Sequence, residues 1–113
     1  MSIFETTSLI WYGDRIQSAF DRGAQAAVVE ATILVYDAAK GRVPVDTGAL
    51  RDSIEMSYGL NEGEVSTRLY YAPYVEYGTA NMSAQPFLQP ALDENRLAIE
   101  YIFKRNIKAE LGE

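Results

Sequence analysis

The sequence predicts an α+β fold: a long N-terminal helix packed on a small antiparallel sheet (a hairpin plus a short strand), with a C-terminal helix. Three observations carry this. Up to Gly41 the apolar residues recur at helical spacing, from Ser53 to Tyr71 they alternate with polar ones, and after Pro90 helical spacing returns. Pro44 divides the first regime from the second. It lacks an N–H, its ring clashes with a preceding helical turn, and it pushes Val43 toward extended geometry.

Residues 1–13 form a possible arm. Leu9, Ile10, Trp11 and Tyr12 are a short apolar run compatible with a helical turn, a strand or an arm, and Gly13 ends it. Asp14 and Gln17 have the spacing of a capping box. Ile16, Phe20, Ala24, Ala27, Ala31, Leu34, Val35 and Ala38 then predict a helix across 14–41, about 40 Å long. Its alanine-rich stripe permits close approach to a sheet or another helix. Gly23 costs about 1 kcal/mol relative to alanine there; it marks a close contact, a bend or a tolerated glycine. Gly41 stands where a left-handed C-cap is expected.

The corner at 44–52 reads as structural, with Pro44, Asp46, Thr47, Gly48 and Leu50 as its residues. Asp46 and Thr47 are short polar residues suited to capping a new turn, and Gly48 relaxes the backbone beside them. Leu50 and Ile54 are spaced to dock that turn on a core. Across 53–78 the pattern is that of antiparallel strands. Ile54, Met56 and Tyr58 alternate with polar residues, Gly59–Gly63 is a hairpin turn, and Val65, Thr67, Leu69 and Tyr71 alternate again. Both strands are expected to turn one apolar face toward the long helix. Pro73 ends regular pairing, and Tyr74–Tyr77 is expected as a short further strand or turn closed by Gly78.

Residues 79–89 read as a loop, small and polar from Thr79 to Gln85. A helix across 90–108 follows, with Pro90 in its first turn and Leu92, Ile99, Ile102, Phe103 and Ile107 at helical spacing. Asp93 and Glu94 near its start, and Lys104, Arg105 and Lys108 near its end, complement the helix dipole. Glu100 and Lys104 add an i,i+4 pair.

The 113 residues fit one domain, 1–113. There is no cysteine for a disulfide framework or thiolate chemistry, and no histidine, the usual acid–base group at neutral pH. A net charge of −6 disfavours tight binding to a nucleic-acid backbone. With no signal-peptide pattern or long apolar span, a soluble, cytoplasmic chain is expected, without membrane association. Asp46, Asp52, Glu55 and Glu76 are the only set with catalytic potential, and catalysis would need them to converge in a cleft. Asp46 already has a competing role as a cap, and no metal-ligand spacing of the EF-hand kind occurs. No catalytic residue, cofactor or metal is assigned.

Tyr70, Tyr71, Tyr74 and Tyr77 crowd into eight positions, more than one small core can hold. Tyrosine supplies contact area at low entropic cost and keeps its hydroxyl wet, which suits an interface. Tyr70, Tyr74 and Tyr77, with Trp11 and Phe87, are therefore the candidate interface residues. The bland alternative places Tyr71 and Tyr77 in the core and leaves Tyr70 and Tyr74 as ordinary surface.

Three blocks, in order, carry a resemblance. They are Pro44-Val45-Asp46-Thr47-Gly48-Ala49-Leu50-Arg51-Asp52-Ser53-Ile54, then Tyr71-Ala72-Pro73-Tyr74-Val75-Glu76-Tyr77-Gly78-Thr79, then Ala84-Gln85-Pro86-Phe87-Leu88-Gln89-Pro90-Ala91-Leu92. Together they resemble the phage morphogenesis proteins typified by gene product 10 of phage HK97, over roughly residues 25–95. The resemblance implies a non-enzymatic virion or prophage structural protein of the head–tail joining region, a neck or tail-completion (terminator) component. Such proteins form a homo-oligomeric ring through which DNA passes without specific binding, and they contact other head–tail joining or tail proteins. The implied location is the virion, with assembly in the host cytoplasm. A small carboxylate-dependent hydrolase and a non-viral cytoplasmic interaction domain are the competing readings.

Overall fold

The structure, a computed structural model, describes residues 7–12 (backbone), 21–44, 48–59, 62–110 and 112. Its order is β1 (Thr7–Tyr12), α1 (Asp21–Arg42), α2 (Ala49–Ser53), β2 (Glu55–Tyr58), β3 (Glu62–Thr67), α3 (Ala72–Tyr77), α4 (Gln89–Asp93) and α5 (Arg96–Glu110). The α+β class expected from the sequence is what the chain adopts.

Helix α1 is the spine. Ala24, Ala27, Val28, Ala31, Val35 and Ala39 are buried along it, and Val43 extends the stripe past its end. Thr32, also buried, satisfies its hydroxyl by donating to the Val28 carbonyl at 2.7 Å. The small side chains let α5 run antiparallel to α1 at short range. At Gly23 an added Cβ would stand 2.8 Å from the Asn106 carbonyl oxygen and 3.0 Å from the Ile107 Cα. Gly23 therefore marks a close contact, the first of the three readings its position allowed. Ion pairs rim the same seam: Arg22 to Glu110 at 2.8 Å, and Arg105 with Glu30. At the other end of α1, Arg42 pairs with Glu94. Asp14 and Gln17 lie outside the described residues.

Gly41 is no C-cap. It lies inside α1, outside the positive-φ glycines, and the Val43 N–H still reaches the Ala39 carbonyl at 3.0 Å. Among the described glycines, the first in the left-handed region is Gly48 (φ 86°), at the N-cap position of α2, with no side-chain cap. Asp46 and Thr47 lie outside the described residues. Leu50 and Ile54 are buried, so the short turn docks on the core as its spacing predicted. A chain of hydroxyls ties it to β3. Ser53 Oγ donates to the Leu50 carbonyl at 2.6 Å and meets Thr67 Oγ1 at 2.6 Å. With the single Ser53 proton already committed, Thr67 must donate to Ser53. Thr67 in turn accepts the Leu69 N–H at 3.3 Å.

The sheet has the order β1-β3-β2, antiparallel throughout. The hairpin forms, but with a tighter turn and a shorter second strand than alternation predicted. The Gly59 N–H donates to the Glu62 carbonyl at 2.9 Å, Gly63 pairs with Tyr58 instead of lying in the turn, and β3 ends at Thr67, before Leu69 and Tyr71. The further strand is β1, so the apolar run at Leu9–Tyr12 resolves as strand, and Trp11 pairs with Gly63. Tyr74–Tyr77, expected as strand or turn, is helical. Strand β2 also departs from its expected apolar face. Val65 beside it is fully buried, yet Met56 is 39 % and Tyr58 51 % exposed. The core ends at the middle strand, because β2 lies at the sheet's edge.

The helix expected across 90–108 is two helices. Asn95 turns its amide back to the Ala91 carbonyl at 2.7 Å and competes with a continuous backbone ladder. After the break, the Ile99 N–H reaches the Asn95 carbonyl at 2.8 Å and α5 begins. Ile102 and Phe103 bury against α1, and Glu100 and Lys104 pair at 3.2 Å as expected.

Candidate functional site

Past the end of β3 the chain turns through Leu69–Ala72, the Ala72 N–H returning to the Leu69 carbonyl at 3.1 Å. Pro73 then sits in the first turn of α3, where its missing N–H costs nothing. On a helix, positions i and i+4 share a face, and Ala72 and Glu76 both point inward and are buried. Tyr74 and Tyr77, three apart, share the other face and are exposed, Tyr77 by 74 %. Tyr70, just before the helix, is 69 % exposed and stands edge-on to the Tyr71 ring at 5.3 Å. Tyr71 packs partly buried against the core. Tyr70, Tyr74 and Tyr77 are thus all on the surface around one short helix, and the reading that put Tyr77 in the core fails.

Glu76 is what locks this helix in place. Its Oε1 accepts the backbone N–H groups of Phe87 and Leu88, both at 2.9 Å, and its Oε2 accepts that of Gln89 at 3.1 Å. These are the three donors ahead of Pro90, which has none, at the start of α4. One buried carboxylate therefore satisfies a helix entry from another element. Gly78 (φ 78°) closes α3, its N–H reaching the Tyr74 carbonyl at 2.8 Å. A Cβ there would lie 2.8 Å from the Ala84 nitrogen. The Gln85 N–H donates to the Val75 carbonyl at 2.8 Å, so the segment 79–86 leaves and returns at a fixed base. All eight of its residues are exposed.

The four candidate carboxylates do not converge. Glu76 is committed to three backbone donors, Glu55 is exposed on β2, and Asp52 is exposed beside Arg51 at 3.4 Å. Asp46 lies outside the described residues. Among the described residues, no group of three acidic side chains is placed to hold a metal ion, and no helix is long and apolar enough to cross a membrane. Phe87, expected at the interface, is corrected to core: it is fully buried, drawn in with the backbone that Glu76 holds. Trp11 lies in β1 by its backbone, and its side chain is outside the described set.

Residues 9–78, more than half of the chain, match a family described as "Bacteriophage HK97-gp10, putative tail-component". The chain belongs to this HK97 gp10-like family. It is accordingly a phage structural protein of the tail-component kind. The match starts at Leu9, so most of β1 falls within the family segment, which begins earlier than the roughly 25–95 expected. The block from Ala84 to Leu92 lies beyond it. No curated protein and no solved structure matches the chain.

A second apolar surface was missed in the sequence. On α5 of this gp10-like chain, Leu97 and Tyr101 are exposed, with Arg105 over the Tyr101 ring at 5.9 Å. Ile33 of α1 is exposed too. The signal was present: Leu97 and Tyr101 fall out of phase with the stripe from Ile99 to Ile107.

Proposed function

We propose that this gp10-like chain is a neck or tail-completion (terminator) component of the head–tail joining region. Copies form a ring around the DNA channel, and Tyr70, Tyr74 and Tyr77 dock a neighbouring head–tail or tail protein. The observation that carries this is the exposed tyrosine ledge on a helix fixed from behind by Glu76, in a chain of a phage tail-component family. Rigid aromatic side chains of this kind contribute contact area with little ordering cost. A net charge of −6 supports the conduit role, because an acidic wall lets a duplex slide without holding it. The role is assembly in the host cytoplasm followed by residence in the virion; it requires no catalysis and no cofactor.

The test is a nonsense mutation in the phage or prophage that encodes the chain, read by electron microscopy. Filled heads and separate tails are expected, with joining restored by the wild-type gene. Joined, infectious particles without the chain would refute the proposal.

A further inference from the structure

Among the described residues the sheet ends in two open edges, and they are not alike. Among the described residues no strand pairs with the outer side of β1 or of β2. Alternation in an antiparallel ladder identifies the groups left over. The Gly59 N–H bonds Glu62, so Ser57 with Glu64 and Glu55 with Ser66 are the bonded pairs of the hairpin. The N–H and C=O groups of Met56 and Tyr58 therefore point away from β3. By the same count Gly63, Val65 and Thr67 face β1, which leaves Ser8, Ile10 and Tyr12 with outward backbone groups. Neither edge carries the proline or lysine that usually blunts an open strand.

We propose that β2 of one copy pairs with β1 of the next, continuing the sheet from subunit to subunit. The occupant follows from charge and from coverage. A β2–β2 contact between two copies would bring together two edges that each carry Glu55, with Glu62 and Glu64 on the adjoining strand, in a protein already at −6. The β1 strand, Thr-Ser-Leu-Ile-Trp-Tyr, has no charge. A β1–β1 contact would leave Met56 and Tyr58 as exposed as they are, whereas a strand laid along β2 covers them. Because β1 and β2 both run antiparallel to β3, they run the same way as each other. Side-by-side copies thus meet in a parallel pair, through two different surfaces. A contact of that kind is head-to-tail and closes into a ring when the rotation permits. This deepens the ring reading above and rests on it.

The chain has no cysteine, so single cysteines report the contact without background. Ser8→Cys and Ser57→Cys proteins, purified separately and mixed at high concentration with a short thiol–thiol cross-linker, should give mainly the mixed dimer. Met56→Pro removes an outward N–H and spares the hairpin ladder, and should abolish the cross-link in a protein that still melts cooperatively. If that variant fails to fold, Met56→Lys blunts the edge through its side chain and should have the same effect. Predominant Ser57→Cys or Ser8→Cys homodimers, or no cross-link at all, would overturn the proposal. A mixed cross-link in a protein whose loss leaves heads joined to tails would keep the pairing and discard the head–tail role. Unjoined heads without any cross-link would do the reverse.

Discussion

Oε1 of Glu76 and the backbone N–H of Phe87 meet at 2.9 Å, with both residues buried. The contact joins α3, which carries two tyrosines of the ledge, to the entry of α4. It also closes the base of the exposed segment 79–86. A helix of six residues has little stability of its own, so its position depends on this carboxylate.

Glu76→Gln keeps an oxygen for two donors but turns an amide N–H₂ toward the Gln89 N–H. Loss of one charge-assisted bond predicts destabilisation of about 1.5–3 kcal/mol. Glu76→Ala orphans buried backbone donors at about 1–3 kcal/mol each. Urea midpoints should fall in the order wild type, Gln, Ala. Equal midpoints would show that the bonds contribute nothing net.

The two helical glycines of α1 should respond in opposite directions. Gly23→Ala places a Cβ against the α5 backbone, which cannot yield as a side chain does. Overpacking of about 1–3 kcal/mol outweighs the roughly 1 kcal/mol gained in helix propensity. Gly41→Ala meets nothing within 4 Å, and should stabilise by about 0.5–1 kcal/mol. Thermal melts of the two variants check both signs.

Asp93 provides a pH signature. Its hydrogen bond from the Gln89 side chain, and then those from Arg96, hold its carboxyl below the ordinary aspartate value. A carboxylate lowered in the folded state adds stability above its unfolded pKa, and that stability disappears as pH falls through the folded value. NMR titration should find the Asp93 midpoint low, and Gln89→Ala with Arg96→Ala should raise it. An unmoved midpoint in the double variant would exclude this cause. The group lies at the surface, so the effect belongs in the titration curve more than in the melting temperature.

The tyrosines and Phe87 should separate binding from folding. Tyr70→Ala with Tyr74→Ala should melt close to wild type yet fail to join heads to tails, since interface tyrosines often cost about 2 kcal/mol or more when truncated. Phe87→Ala should instead lose about 3–5 kcal/mol of stability. A tyrosine variant that unfolds would assign the ledge to the core. One that joins particles normally would move the interface elsewhere, with the Leu97 and Tyr101 surface the next to test.

The segment from Ala80 to Ala84 should exchange its amide hydrogens quickly in the free subunit and slowly in assembled particles. Its residues are exposed, and its internal bonds centre on Thr79, which pairs with Met82 and accepts the Asn81 N–H at 3.2 Å. Equal protection in both states would remove this segment from the assembly contact.

What the sequence determined by itself was set by local periodicity and by proline. The apolar stripe of α1, the alternation of the hairpin and the docking of Leu50 and Ile54 each depend on residues a few positions apart, and the three ordered blocks pointed to the family. What only the tertiary structure decided depends on partners far along the chain. Tyr74–Tyr77 became helix because a buried acceptor at Glu76 was needed for donors eleven to thirteen residues onward. Leu9–Tyr12 became strand because β3 presented an open edge to it. Phe87 went inside because that same carboxylate drew its backbone in. Gly23 acquired its meaning from the approach of α5. None of these contacts has a period, so no local pattern could announce them. Burial of a polar group is resolved wherever a partner can be brought to it.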